Sequence, residues 1–223
     1  MQYLELLNRL KEYAEPTFAD FQRRLIFTRY PILGVRTPTL RKLAKEYACN
    51  FEEIFGFPNE YYEVVFLKLA QVSALPYDKF VQYLPQCIAL IDNWALCDSF
   101  RATSIKKNKE IFLPMLQTIF MDGGEYAQRY PLVVLLTEYI EERYFSAIEQ
   151  FIQSATTERY YVHMAVAWLL AEILVKEYAY GVKLLQKGFT DDKTHDKAIQ
   201  KAIESYRLNN EQKEYLRSLK IRK

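Results

Sequence analysis

An indole and a carboxylate stand four residues apart in Asp92-Asn93-Trp94-Ala95-Leu96-Cys97-Asp98-Ser99-Phe100. On a helix, Trp94 and Asp98 project from one face and can address one ligand. An indole face attracts a cation and a carboxylate neutralises it, so the pair suits stabilisation of positive charge. The same two residues also fit a core tryptophan beside an aspartate that caps a helix or pairs with a cation.

Two further segments carry chemical possibilities. Glu125-Tyr126-Ala127-Gln128-Arg129-Tyr130-Pro131-Leu132 places Arg129 within an apolar helical run. An arginine there can grip a phosphate bidentately, or it can pair with Glu125 one turn earlier. In Tyr160-Tyr161-Val162-His163-Met164-Ala165-Val166-Ala167-Trp168-Leu169-Leu170-Ala171-Glu172, Trp168 is flanked by small residues. Ala165, Ala167 and Ala171 allow close approach, which suits a neighbouring helix with Trp168 in the core.

Charge is distributed unevenly. The net charge is only +2, from 30 basic and 28 acidic residues. From Lys183 onward, however, basic residues outnumber acids, and Lys193, Lys197 and Lys201 recur at i, i+4 spacing. Arg101, Lys106, Lys107 and Lys109 form a second cluster. Basic faces attract phosphate backbones; a solvated helix face gives the same sequence pattern.

The elements that would position these residues are helical. The chain has 223 residues, half of them apolar, with only 6 Gly and 8 Pro. Thr37-Pro38 is a helix start, and Leu40, Leu43, Ala44 and Tyr47 follow at helical spacing. The same periodicity runs through 61–74, 77–91, 110–120, 125–140 and 158–178, and again from Thr194 through Ala198, Ile199, Ala202, Ile203 and Tyr206. Breaks are short, as at Tyr30-Pro31, Phe57-Pro58, Leu75-Pro76 and Asp122-Gly123-Gly124. No stretch alternates with period two between turn signals. The expectation is an all-α protein, a curved solenoid of stacked antiparallel helix pairs of the HEAT-like kind, with a closed bundle as the other arrangement. No linker or low-complexity segment interrupts it, so one domain over 1–223 is expected.

Composition narrows the function classes. Cys49, Cys87 and Cys97 are odd in number and widely spaced, and the histidines are His163 and His195 alone. A reduced, cytoplasmic protein without structural zinc is expected. No apolar run reaches the roughly 18 residues of a membrane span, and the N-terminus lacks the pattern of a secretion signal. A monomer without membrane partners is the matching expectation.

Taken in order, these segments resemble the AlkD-like family of DNA alkylation repair glycosylases. Gly34-Val35-Arg36-Thr37-Pro38-Thr39-Leu40-Arg41-Lys42-Leu43-Ala44-Lys45 is similar to the family's G-[IV]-[RK]-T-P-x-x-R-x-[IL]-[AS]-K segment. Trp94 and Asp98 match W-x-x-x-D, Arg129 follows, and Ala165-Val166-Ala167-Trp168 matches A-[IV]-[GA]-W, with Lys197-Ala198-Ile199 and Tyr206 at the end. The resemblance covers nearly the whole chain. It implies a stack of HEAT-like helix pairs whose concave face holds double-stranded DNA with alkylated bases. It implies hydrolysis of the N-glycosidic bond of cationic N3- or N7-alkylated purines, without cofactor or metal and with the lesion still stacked in the duplex. Asp98 would be the catalytic carboxylate. Trp94 and Trp168 would be aromatic plates facing one another across a groove. Arg129 would contact the DNA backbone, joined by Lys193, Lys197 and Lys201. Two positions depart from the family pattern: Met164 and Ala171 stand where Lys and Arg are frequent. A non-catalytic DNA-structure binder and a HEAT-like protein-interaction scaffold are the other functions that this sequence suits.

Overall fold

Proline and capping residues set many of the helix boundaries. The computed structural model describes residues 2–221 and contains fourteen α-helices among them. In the first half, these are α1 (Tyr3–Glu12), α2 (Pro16–Leu25), α3 (Thr37–Glu46), α4 (Phe51–Gly56), α5 (Tyr62–Ser73), α6 (Tyr77–Leu90) and α7 (Trp94–Ser99). The second half contributes α8 (Lys109–Met121), α9 (Glu125–Glu138), α10 (Phe145–Gln153), α11 (Tyr160–Lys176), α12 (Tyr178–Lys187), α13 (Asp192–Ile203) and α14 (Asn210–Ser218). Pro16 opens α2 and Pro38 lies in the first turn of α3, where the missing N–H costs nothing. No strand occurs among the described residues.

The helices pack in neighbouring pairs, an all-α fold of the HEAT-like kind. The chain divides into two compact units, Met1–Asn108 and Lys109–Lys223. In the first unit α5 is central and packs against α3, α4, α6 and α7. In the second, α11 packs against α9, α12 and α13, while α8 covers α9 and α14 covers α13. The central helices α5, α9 and α11 are buried around most of their circumference, as expected for helices with neighbours on several sides. The outer helices show one apolar stripe: α13 buries Ala198, Ile199 and Ala202 and turns Lys197 and Lys201 away from that core.

The expected helix over 158–178 is α11, two residues shorter at each end, and α12 follows it almost at once. Glu177 leaves helical geometry (φ −132°, ψ 63°) and serves both as C-cap of α11 and N-cap of α12.

The loop before α3 is built around one buried carboxylate. Glu63, fully buried in α5, accepts hydrogen bonds from the backbone N–H groups of Leu33 (3.1 Å), Gly34 (2.8 Å) and Val35 (3.2 Å). Burial raises its pKa, and these N–H donors work against that rise. Gly34 adopts φ +92°, and a Cβ there would lie 2.4 Å from the Glu15 carbonyl oxygen. Only glycine fits both conditions.

Candidate active site and basic face

The first-unit site is built on α7. Asn93 is fully buried and caps this helix by accepting from the Leu96 N–H at 3.0 Å. Leu96, Cys97 and Phe100 are fully buried and fix one side of the helix to the core. The opposite side then presents Trp94, Ala95, Asp98 and Ser99, all partly exposed, and all four line one cleft of about 300 Å³. Trp94 and Asp98 thus share one helix face, as their spacing predicts. Phe18, Phe21 and Leu25 of α2 supply apolar wall, and Tyr62 adds to it. Arg41 and Arg101, both exposed, bring two guanidinium groups to the same cleft.

Hydrogen bonds tie the end of α2 to the start of α7. The Trp94 indole Nε1 donates to the Leu25 carbonyl at 3.1 Å. Asp92 accepts from the Thr28 hydroxyl (2.9 Å), the Arg29 N–H (2.7 Å) and the Asn93 amide (2.8 Å). The cleft walls are therefore cross-braced by polar groups rather than by apolar packing alone.

The second unit holds the remaining predicted residues. Trp168 on α11 is partly exposed and lines a smaller cleft of about 150 Å³ with Glu172, Lys201 and Arg207. Glu172, one helical turn beyond Trp168, accepts from Arg207 at 2.8 Å and lies 3.8 Å from Lys176. The expectation that Trp168 is a core residue is therefore only half met: its helix is core, its ring reaches a surface cleft. Ala171, one of the small residues beside Trp168 in the sequence, lines the same cleft.

Arg129 on α9 is 5 % exposed. Its Nη1 donates to the Tyr161 carbonyl at 2.8 Å, while Glu125 accepts from the Tyr161 N–H at 2.9 Å. Glu125 and Arg129 thus grip the two polar backbone groups of one residue in the first turn of α11. This supports the first turn of α11, where the N–H has no partner within the helix itself.

Lys193, Lys197 and Lys201 run along α13, the first exposed and the other two partly exposed. Their field reaches buried neighbours. The pKa of His163 is lowered, first by burial and then by the charges of Lys193, Lys197 and Lys201. That of Lys201 is lowered by burial, with Lys197 and Arg129 adding to the effect. Arg129 thus belongs to the same positive neighbourhood although its side chain is buried. Asp191 caps α13, accepting from the Thr194 N–H (3.0 Å) and hydroxyl (2.6 Å). Burial pushes its carboxyl pKa up, but the Thr194 hydrogen bonds, helped by Thr157 and the nearby His163, outweigh that and the pKa falls to about 2. The Thr194 hydroxyl in turn stands 2.8 Å from His163 Nδ1, which must donate to it because the hydroxyl proton is directed at Asp191.

Among the described residues, no group of three or more His, Cys, Asp or Glu side chains is spaced to hold a metal ion. None of the described helices is long and apolar enough to cross a membrane. The sequence alone does not single out Asp92, Glu63 or the α2 aromatics. Asp92 lies two residues before Trp94 in the chain and is the only one of these with a positional signal.

An all-helical protein of paired helices, with an indole–carboxylate cleft and a lysine stripe, is the class that fold and geometry define. A family model described as DNA alkylation repair enzyme matches residues 6–205. The chain belongs to this family, which places it among enzymes of DNA alkylation repair with DNA as substrate. No curated protein matches the chain.

Proposed function

We propose that this protein is a DNA glycosylase that hydrolyses the N-glycosidic bond of cationic N3- or N7-alkylated purines in duplex DNA. The observation that carries this reading is the outward face of α7, which puts Trp94 and Asp98 in the wall of one cleft flanked by Arg41 and Arg101. An alkylated purine is already a cationic leaving group and needs little acid assistance. It departs with the bonding electron pair, which cancels its charge and leaves positive charge on the deoxyribose. Asp98 stabilises that sugar cation and orients the water whose oxygen bonds to C1′ as its proton passes to the Asp98 carboxylate. The indole of Trp94 adds cation–π stabilisation while the charge is still on the base. The guanidinium groups of Arg41 and Arg101 suit the flanking phosphates.

In the second unit, Trp168 offers another aromatic surface, with Lys201 beside it. Lys193, Lys197 and Lys201 act as sequence-independent phosphate contacts. Arg129 contributes mainly through its charge and through the Tyr161 carbonyl it holds, since little of its side chain is exposed. The test is abasic-site formation on duplexes carrying N7-methylguanine or N3-methyladenine, against the unmodified duplex. Release of both methylated bases and not of guanine or adenine is expected. Tight duplex binding with no abasic sites would leave a DNA binder and rule out the glycosylase.

A further inference from the structure

Two polar atoms of opposite sense stand unmatched in the wall of the Trp94–Asp98 cleft. Tyr62 opens α5, where its backbone N–H donates to the Pro31 carbonyl at 3.0 Å. Its ring packs against Phe66, with 6.4 Å between centroids, and the residue is only 3 % exposed. The Tyr62 hydroxyl makes no hydrogen bond among the described residues. Burial, and then the charges of Glu63 and Asp92, raise its pKa, so it keeps its proton and is a donor. Gln22 of α2 lines the same cleft, and its Oε1 is buried and accepts no hydrogen bond. A buried donor or acceptor left unmatched costs free energy, and native proteins keep few of them. Thr37 and Ser99 also line the cleft, but both are partly exposed and can turn to water.

A ligand that satisfies both atoms carries an acceptor and an N–H donor on one edge. The minor-groove edge of guanine has both, the N3 acceptor and the N2 amine, whereas adenine has N3 alone. That edge is open while the base stays stacked in the duplex. Alkylation at N7 leaves it intact; alkylation at N3 blocks the acceptor. The guanidinium groups of Arg41 and Arg101 in this cleft repel a cationic base, but a neutral hydroxyl and a neutral amide do not. Gln22 as a whole is partly exposed, and the terminal torsion of a glutamine turns broadly, which lets its carbonyl meet an amine. As the glycosidic bond breaks, its electron pair enters the purine and N3 becomes a better acceptor. A Tyr62 hydrogen bond to N3 is then stronger in the transition state than in the ground state, the condition for it to speed the reaction.

We propose that Tyr62 and Gln22 read the guanine edge of an N7-alkylated lesion, the Tyr62 hydroxyl donating to N3 and the Gln22 carbonyl accepting from the N2 amine. The assignment rests on the reading of this protein as an alkylpurine glycosylase and names the substrate to which its cleft is fitted. Both are specificity-determining residues that touch the base.

The test measures single-turnover base release by the full chain, Tyr62→Phe and Gln22→Met. Three duplexes are compared, carrying N7-methylguanine, N7-methylhypoxanthine (which keeps N3 and lacks the amine) and N3-methyladenine. Each variant is compared with wild type on the same duplex, so differences in lesion reactivity cancel. Tyr62→Phe should slow release of both N7-methylated bases by about fivefold, the effect of one neutral hydrogen bond, and leave N3-methyladenine unchanged. Gln22→Met should slow N7-methylguanine alone, by about the same factor. Equal slowing of all three lesions by either variant would make that residue a packing group and overturn its assignment, with the glycosylase reading intact. Unchanged rates throughout would mean that water satisfies these atoms and would equally overturn it. Failure of the wild type to release any of the three bases would remove the edge reading together with the glycosylase.

Discussion

At Trp94 two roles meet in one side chain: the indole N–H holds Leu25, while the ring lines the cleft. Substitution separates them. Trp94→Phe keeps an aromatic plate and deletes the hydrogen bond, which is worth about 1 kcal/mol or less at a partly exposed carbonyl. We expect a small loss in thermal stability and a few-fold loss in excision rate. Trp94→Ala deletes the plate as well and should lower excision much further. Equal rates for the Phe and Ala variants, measured under single turnover, would mean that the ring does not touch the lesion. The spacing of Trp94 and Asp98 was legible in the sequence because four residues define one helix face whatever the tertiary context. Whether Trp168 is core or surface was not legible, because exposure is set by the neighbours of α11, not by its own residues. Arg129 also donates to the Tyr161 carbonyl, a contact distant in the chain and encoded by no local pattern.

At the scale of elements, α13 joins stability to charge. Its core side is apolar, and its cap Asp191 titrates well below the ordinary aspartate range, at about 2. A carboxylate with a depressed folded pKa gives stability that is complete above its unfolded pKa near 4. That stability is lost as pH falls through the folded value. Asp191→Ala should therefore cost about 1 kcal/mol near neutral pH. Asp191→Asn, which is uncharged and keeps only one of the two acceptor oxygens, should lose at neutral pH the stability that the ionised carboxylate gives and flatten the stability profile between pH 4 and 2. A wild-type profile already flat over that interval would contradict the assignment. In the proposed function, the lysines on the other side of α13 are phosphate contacts. Lys197→Ala with Lys201→Ala should weaken affinity for all duplexes alike. It should also reduce the slope of log affinity against log salt by roughly one unit for each phosphate no longer neutralised. The melting temperature should hardly move. An unchanged slope would mean that these lysines do not meet phosphate. Helix α13 was expected to begin at Thr194. It begins at Asp192, because Asp191 rather than Thr194 is the cap and Thr194 is the residue capped.

At the scale of the whole molecule, periodicity sufficed for the all-α class, while stacked pairs rather than a closed bundle rested partly on the family resemblance. The long helices were placed within a few residues. Shorter ones, α4 and α10 among them, were not, since six to nine residues hold too little periodicity to read. The same reasoning explains Glu63: a buried carboxylate within an apolar run reads as an anomaly until the three N–H groups that it collects are seen. The account of function rests finally on one carboxylate. Asp98→Asn keeps the shape of the side chain and removes the charge that would stabilise the sugar cation. The decisive measurement is the single-turnover rate of base release from an N7-methylguanine duplex by wild type and Asp98→Asn, at saturating protein and with duplex affinity measured in parallel. The account predicts nearly equal affinity and a rate lower by about a hundredfold or more in the variant. Equal rates, or no base release by the wild type, would contradict it.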